Sequence, residues 1–151
     1  MRALFPAPAA SRSAAPLLVA ALLAAALFAG TARAEDAAPL PAGNAEAGAR
    51  VFNRCKSCHQ IGENAESSIG PELNGVIGRP AGKLPGYSFS EGLAGAGFSW
   101  DEAHMAEWLR GARKMIPTTK MITPPLRKDQ DIADLMAYLS QFGADGQTRA
   151  P

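Results

Sequence analysis

Residues 55–59 read Cys55-Lys56-Ser57-Cys58-His59, and no other stretch narrows the fold as far. Two thiols three residues apart can each form a thioether to one edge of a porphyrin. The imidazole that follows is placed to bind iron through a ring nitrogen. The C-x-x-C-H spacing is therefore the signature of covalent haem attachment. Cys55 and Cys58 are the only cysteines among the 151 residues, so neither is left over for a disulfide elsewhere. Haem supplies a one-electron couple that no side chain offers, which makes electron transfer the function to expect.

Other uses of a C-x-x-C pair fit this chain less well. A thioredoxin-like pair needs a βαβ context, and only Tyr87-Ser88-Phe89 reads as strand-like. A structural zinc site needs four ligands. The supply is Cys55, Cys58, His59 and the distant His104, and His59 lies too close to Cys58 for an ordinary finger. A disulfide across so few residues would stabilise little through loop closure.

The N-terminal segment points to export. Arg2 and Arg12 lead a run from Leu17 to Phe28 made almost wholly of Leu, Ala and Val, and Ala32-Arg33-Ala34 then precedes Glu35-Asp36. A basic region, an apolar run and an A-x-A site form a secretory signal peptide. The apolar run is shorter than the roughly 20 residues of a membrane-spanning helix. The expected organisation is a cleaved signal at residues 1–34, an Ala/Pro-rich flexible lead-in at 35–43, one domain at 44–143 and a short polar tail at 144–151. The destination is the periplasm, with no stable membrane insertion after cleavage. In an oxidising compartment two such close thiols would pair unless put to another use.

Without Arg2, Arg12 and Arg33 the chain keeps twelve basic against fourteen acidic residues. That balance argues against nucleic-acid binding, which favours a strongly basic face. The basic residues are unevenly placed. Arg110, Arg113, Lys114, Lys120, Arg127 and Lys128 fall between Trp108 and Lys128 with no acidic residue among them. The stretch reads either as a solvated loop after a helix C-terminus or as a docking patch for an acidic redox partner.

The coarse pattern is all-α with long loops. Asn44 is placed to cap a helix from Ala45 to Arg54 whose end delivers Cys55. The Gly/Pro-rich segment from Ile61 to Pro85 predicts loop, with one short helix near Glu72 to Val76. Ser99-x-x-Glu102 reads as a capping box opening a helix to about Ala112. A last helix runs from about Gln130 to Phe142, started by Asp129 or Asp131 and stopped by Gly143. On it Ile132, Leu135, Met136 and Leu139 form an i, i+3, i+4, i+7 packing stripe. Three or four helices make a thin core. Haem would supply the apolar body around which the loops wrap, so the fold is expected to depend on it.

A second iron ligand would be Met or His. His104 lies mid-helix between two tryptophans. Met136 belongs to the packing stripe and Met105 is mid-helix. Met115 and Met121 fall in the loop Met115-Ile116-Pro117-Thr118-Thr119-Lys120-Met121. A loop can present a thioether to an open haem face without a helix register, so the loop methionines are favoured. Spacing alone does not choose between them.

Several ordered motifs carry a resemblance. They are Gly48 and Phe52, the haem motif, Gly70-Pro71-Glu72-Leu73, Gly78-Arg79, Trp100, Ile116-Pro117-Thr118-Thr119-Lys120-Met121 and Leu135-Met136-Ala137-Tyr138-Leu139. Across residues 45–142 the chain resembles a class I cytochrome c, of the small soluble bacterial type related to the mitochondrial protein. The resemblance implies an all-α cytochrome c fold around one haem c, covalently bound through Cys55 and Cys58. It implies that His59 and Met121 ligate the iron and that the Pro71 carbonyl accepts the Nδ1–H of His59. Trp100 would donate to a haem propionate, with Arg79 and Thr119 nearby, and Leu73 would line the pocket. The implied function is a monomeric periplasmic electron carrier of a respiratory or similar chain. It would meet redox proteins briefly and without catalysis, Lys120 and Arg113 being the first docking candidates.

The chain departs from that family at four positions. Phe89 stands where a tyrosine usually bonds a propionate, and Phe has no hydroxyl. Trp108 replaces a tyrosine close to the distal sulfur. Thr123 and Pro125 replace an aromatic residue and a glycine. A weakly held Met121 would open the iron to gas binding or peroxide chemistry, but His104 is the only spare histidine for such work. A haem-bearing subunit of a respiratory complex and a disulfide oxidoreductase are the remaining alternatives.

Overall fold

The first helix begins where the sequence predicts. Asn44 accepts the Ala47 N–H at 2.8 Å through its side chain, satisfying one of the donors that a helix start leaves open. α1 spans Ala45–Phe52 in a computed structural model that describes residues 39–149. The expected signal peptide and the beginning of the lead-in lie outside the described residues. Three further helices follow: α2 at Glu91–Ala94, α3 at Glu102–Met115 and α4 at Asp129–Leu139. The rest is loop, as an all-α chain with this much Gly and Pro predicts. Among the described residues only isolated bridges pair extended backbone, Pro80 with Ser99 and Phe142 with Thr148.

α1 and α4 form the main helix seam. The backbone N–H of Asn44 donates to the Asp134 carboxylate at 2.7 Å, and Gln130 bridges that carboxylate to the Ala42 carbonyl. The helices approach closely because Gly48 has no side chain: a Cβ there would run into the Asp134 carbonyl and meet the Tyr138 Cβ. Phe52 and Tyr138 close the seam with ring centroids 5.3 Å apart. Ile132, Leu135, Met136 and Leu139 are all buried, so the predicted stripe is the packing face of α4.

Three local expectations are corrected by tertiary hydrogen bonds. α3 is capped by Asp101, not Ser99: the Asp101 carboxylate accepts the His104 N–H at 2.9 Å. Residues 98–100 stay extended because they pair with the 78–81 segment. Gly78 N–H bonds Trp100 O, Trp100 N–H bonds Arg79 O, and Ala81 N–H bonds Phe98 O. Residues 72–76 form turns, not a helix. The carbonyls of Glu72 and Asn74 accept from the Arg79 guanidinium, and Leu73 N–H reaches Gln60 O. α3 extends past Ala112 to Met115 but departs from helical backbone at Gly111. There the Leu109 carbonyl accepts the Leu126 N–H, which draws the returning loop against the helix.

The boundaries of α1 and α4 also differ. α1 stops at Phe52, and the chain winds on through turns that carry the cysteine motif, with Cys55 N–H on Phe52 O and His59 N–H on Cys55 O. α4 ends at Leu139. The polar residues beyond it fold back through bonds from Gly143 N–H to Gln147 O and from Arg149 N–H to Gln141 O, and Gln147 donates to Glu63 at 2.6 Å. No helix among the described residues is long and apolar enough to cross a membrane.

Candidate functional site

A cavity of about 480 Å³ opens into the middle of the core, within the size range of cofactor sites. Cys55, Cys58 and His59 reach it from the turns after α1. Pro71, Leu73 and Arg79 come from the loops that follow, Trp100 from the extended segment before α3, and Thr119 and Met121 from the loop after α3. All nine residues singled out in the sequence therefore line one space. Met105 lines it as well, whereas Met115 and Met136 do not, and neither does His104. His104 stacks on Phe98 at 4.3 Å and bonds Asp101 through Nδ1 at 2.7 Å.

His59 is fixed in orientation. Its Nδ1 lies 2.7 Å from the Pro71 carbonyl. A carbonyl only accepts, so Nδ1 carries the proton and Nε2 keeps its lone pair. Burial pushes the His59 pKa below the usual imidazole value, and the Pro71 bond partly offsets this. The result is a neutral imidazole with one free nitrogen, which is the state that binds a metal.

Gly70 seats the ring. A Cβ at this position would stand 2.5 Å from Cε1, 2.7 Å from Nδ1 and 2.9 Å from Nε2 of His59. Gly70→Ala must displace either the imidazole or the backbone that carries Pro71. The expected result is a several-fold lower yield of haem-loaded protein and a perturbed low-spin absorption spectrum; a normal yield and spectrum would show that the ring does not need this cradle.

The cysteines do not look like an activated redox pair. Burial raises the Cys55 thiol pKa, with Arg54 pulling it down and Cys58 adding to the rise. Catalytic dithiols depend on a lowered thiol pKa. The zinc alternative also lacks support, since no group of three or more His, Cys, Asp or Glu forms a metal cluster among the described residues.

Thr119 is buried, and its Oγ1 accepts the Met121 N–H at 3.2 Å, which pins the backbone that presents the thioether. Lys120, between them, donates to the Ser88 carbonyl at 2.9 Å. Trp100 and Trp108 pack edge to face at 5.2 Å. Among the described residues no acceptor meets either indole N–H. Arg79 is engaged by Glu72 in an ion pair of 2.9 Å, so it is not simply a spare donor awaiting a propionate. Sequence reasoning gave no individual role to Gly70, Glu72, Met105 or Tyr87. Tyr87 and Ile69 both line the cavity, and the Tyr87 hydroxyl donates to the Ile69 carbonyl at 2.8 Å. The Gly-Pro-Glu run hinted at the first two; Met105 and Tyr87 carried no local signal.

The residues present suit haem c. The cavity walls are mainly apolar, with Phe52, Leu73, Leu93, Leu109 and Leu135 among them. The imidazole and the thioether are both donors that haem iron accepts, and Gly70 leaves room for the imidazole ring.

Comparison with known proteins agrees with this chemistry. The cytochrome c family model matches residues 45–143. The chain is 47% identical to cytochrome c-554 of Methylosinus trichosporium over 108 residues, which cover 72% of this chain and 82% of that protein. It is 44% identical to cytochrome c2 of Rhodoblastus acidophilus over 105 residues, covering 70% and 98%. Among solved structures, cytochrome cH from Methylobacterium extorquens superposes with a TM-score of 0.61 at 38% identity, covering 65% of this chain and 98% of that one. Family and fold both imply covalently bound haem c, for which Cys55 and Cys58 are present. The chain belongs to the cytochrome c family.

Proposed function

We propose that the chain is a periplasmic one-electron carrier that holds haem c through Cys55 and Cys58, places the iron between His59 and Met121, and shuttles electrons between partner proteins without acting as an enzyme. The observation that carries the proposal is the makeup of the cavity wall. A neutral imidazole with a fixed tautomer and a loop thioether face one apolar space, and no carboxylate or second imidazole lines it among the described residues. Haem c, when bound, supplies the one-electron couple. The protein's own groups orient the ligands and keep water off.

Peroxide turnover needs a distal group that moves protons. His104, the one spare imidazole, is committed to Phe98 and Asp101 away from the cavity. Cleavage of residues 1–34, a flexible lead-in at 35–43, a domain over 44–143 and a polar tail to 151 complete the proposed organisation. Mass spectrometry of the mature N-terminus tests the cleavage.

Partner contact is proposed to use the basic stretch, with Lys120 and Arg113 foremost. Arg110 is already paired with Asp129 at 2.7 Å and is a weaker candidate. Brief redox encounters use small interfaces, and complementary charge mainly speeds the encounter. Acidic partner surfaces and a monomeric carrier follow from that mode of action.

Optical spectra of the haem-loaded protein test the proposal. A low-spin spectrum with the ferric Met–iron charge-transfer band and indifference to carbon monoxide are expected, along with a reversible one-electron couple. A high-spin component or ready carbon monoxide binding would move the function to gas or peroxide chemistry.

A further inference from the structure

The Glu72–Arg79 pair stands apart from the other ion pairs of the described residues. Its side chains are only 16% and 17% exposed, whereas Glu46–Arg50, Asp101–His104 and Asp129–Arg110 lie at the surface. The pair is also heavily hydrogen-bonded. Arg79 Nη1 donates to Glu72 Oε1 at 2.9 Å and to the Asn74 carbonyl at 3.2 Å, and Nη2 donates to the Glu72 carbonyl at 2.9 Å. The second carboxylate oxygen of Glu72 accepts the Asn74 N–H at 2.6 Å. Arg79 lines the cavity while Glu72 does not. The carboxylate thus lies behind the guanidinium, in the residue next to the Pro71 carbonyl that holds His59.

A desolvated ion pair is weak evidence for stability, because apolar residues of similar volume often serve as well. A pair placed on a cofactor wall has another consequence. Adding an electron to the site is favoured by a fixed positive charge nearby and disfavoured by a fixed negative one. Such effects are strong where water is scarce.

We propose that Glu72 is a positioning residue that holds the Arg79 guanidinium on the cavity wall and cancels its charge there. The reduction equilibrium of the haem is thereby set lower than a bare Arg79 would set it. The proposal rests on the chain being a haem-bearing electron carrier. It also explains why Arg79 makes so many bonds to the loop behind it: the guanidinium is braced by Glu72 and by two carbonyls of the same turn, whether or not anything else approaches it.

Spectroelectrochemical titration of the haem-loaded protein tests this, comparing wild type with E72Q, R79Q and the double variant at low and high salt. E72Q removes the charge and keeps one of the two acceptor oxygens that serve Asn74 and Arg79. Its equilibrium constant for reduction is expected to rise about three- to tenfold, the upper figure being ~59 mV for a one-electron couple. R79Q is expected to shift it the opposite way, and the double variant to return towards wild type. The shift should survive high salt, since partly buried pairs are little screened. Should E72Q not mature, E72M fills a similar volume without charge and should give the same upward shift.

A purely structural role would lower the melting temperature and leave the equilibrium within about twofold of wild type. That result would overturn the inference and leave the carrier function intact. A wild-type protein with no reversible one-electron couple would overturn both.

Discussion

Protein prepared without haem, or as C55A/C58A with haem extracted, is expected to lose its cooperative thermal transition and most of its helical signal. The reason is where the cavity lies. Nine of the seventeen buried apolar side chains line it, including Phe52, Trp100, Met105, Trp108, Leu109 and Leu135. Without haem these residues would face a space of about 480 Å³ with no apolar partner across it. At roughly 24 cal/mol per Å³ of residual cavity, holding that volume open would cost about 12 kcal/mol. Collapse or entry of water lowers the figure, but it is comparable to the whole stability of a small domain, about 5–15 kcal/mol. The α1–α4 seam is the part best able to persist, since Gly48, Asp134, Phe52 and Tyr138 pair the two helices directly. Far-UV circular dichroism against temperature is the measurement. A haem-free sample with a native-like spectrum and a sharp melt would show that the polypeptide core suffices.

Local patterns in the sequence identified what local physics determines. The Asn44 cap, the α4 stripe and the cysteine motif each act within a few residues, and each stands in the structure where its spacing implies. The failures share a cause: backbone groups took partners other than those a continuous helix would give them. Ser99 satisfies a capping-box pattern, yet residues 98–100 pair with 78–81 and delay the helix to Asp101. Residues 72–76 have a helical look, yet Arg79 takes two of their carbonyls. The cradle under His59 depends on how Gly70 approaches from a loop 11 positions further on, which no window-based pattern encodes. The loop that carries Met121 is recognisable as a loop, but its bond from Met121 N–H to the buried Thr119 hydroxyl is not.

Of the two methionines that line the cavity, Met121→Ala is expected to abolish the ferric Met–iron charge-transfer band and to admit carbon monoxide, while Met105→Ala should do neither. Met105 is 5% exposed and sits on α3 within the hydrophobic core. Cutting it to Ala should cost about 2–5 kcal/mol of stability, the range for a buried methionine. Met121 is only half-buried and belongs to a loop held by Thr119 and by Lys120 on Ser88. Its truncation should cost less in packing and far more in ligation. Loss of the soft thioether should also lower the reduction equilibrium, because Met/His ligation favours the reduced form. Thr119→Val offers an intermediate case: it keeps the shape of the buried side chain but removes the acceptor for Met121 N–H, so it should weaken the band without eliminating it. Spectra and melts of the three variants separate ligand from packing. A charge-transfer band that survives in Met121→Ala and vanishes in Met105→Ala would exchange the two roles and move the distal ligand from the loop onto α3.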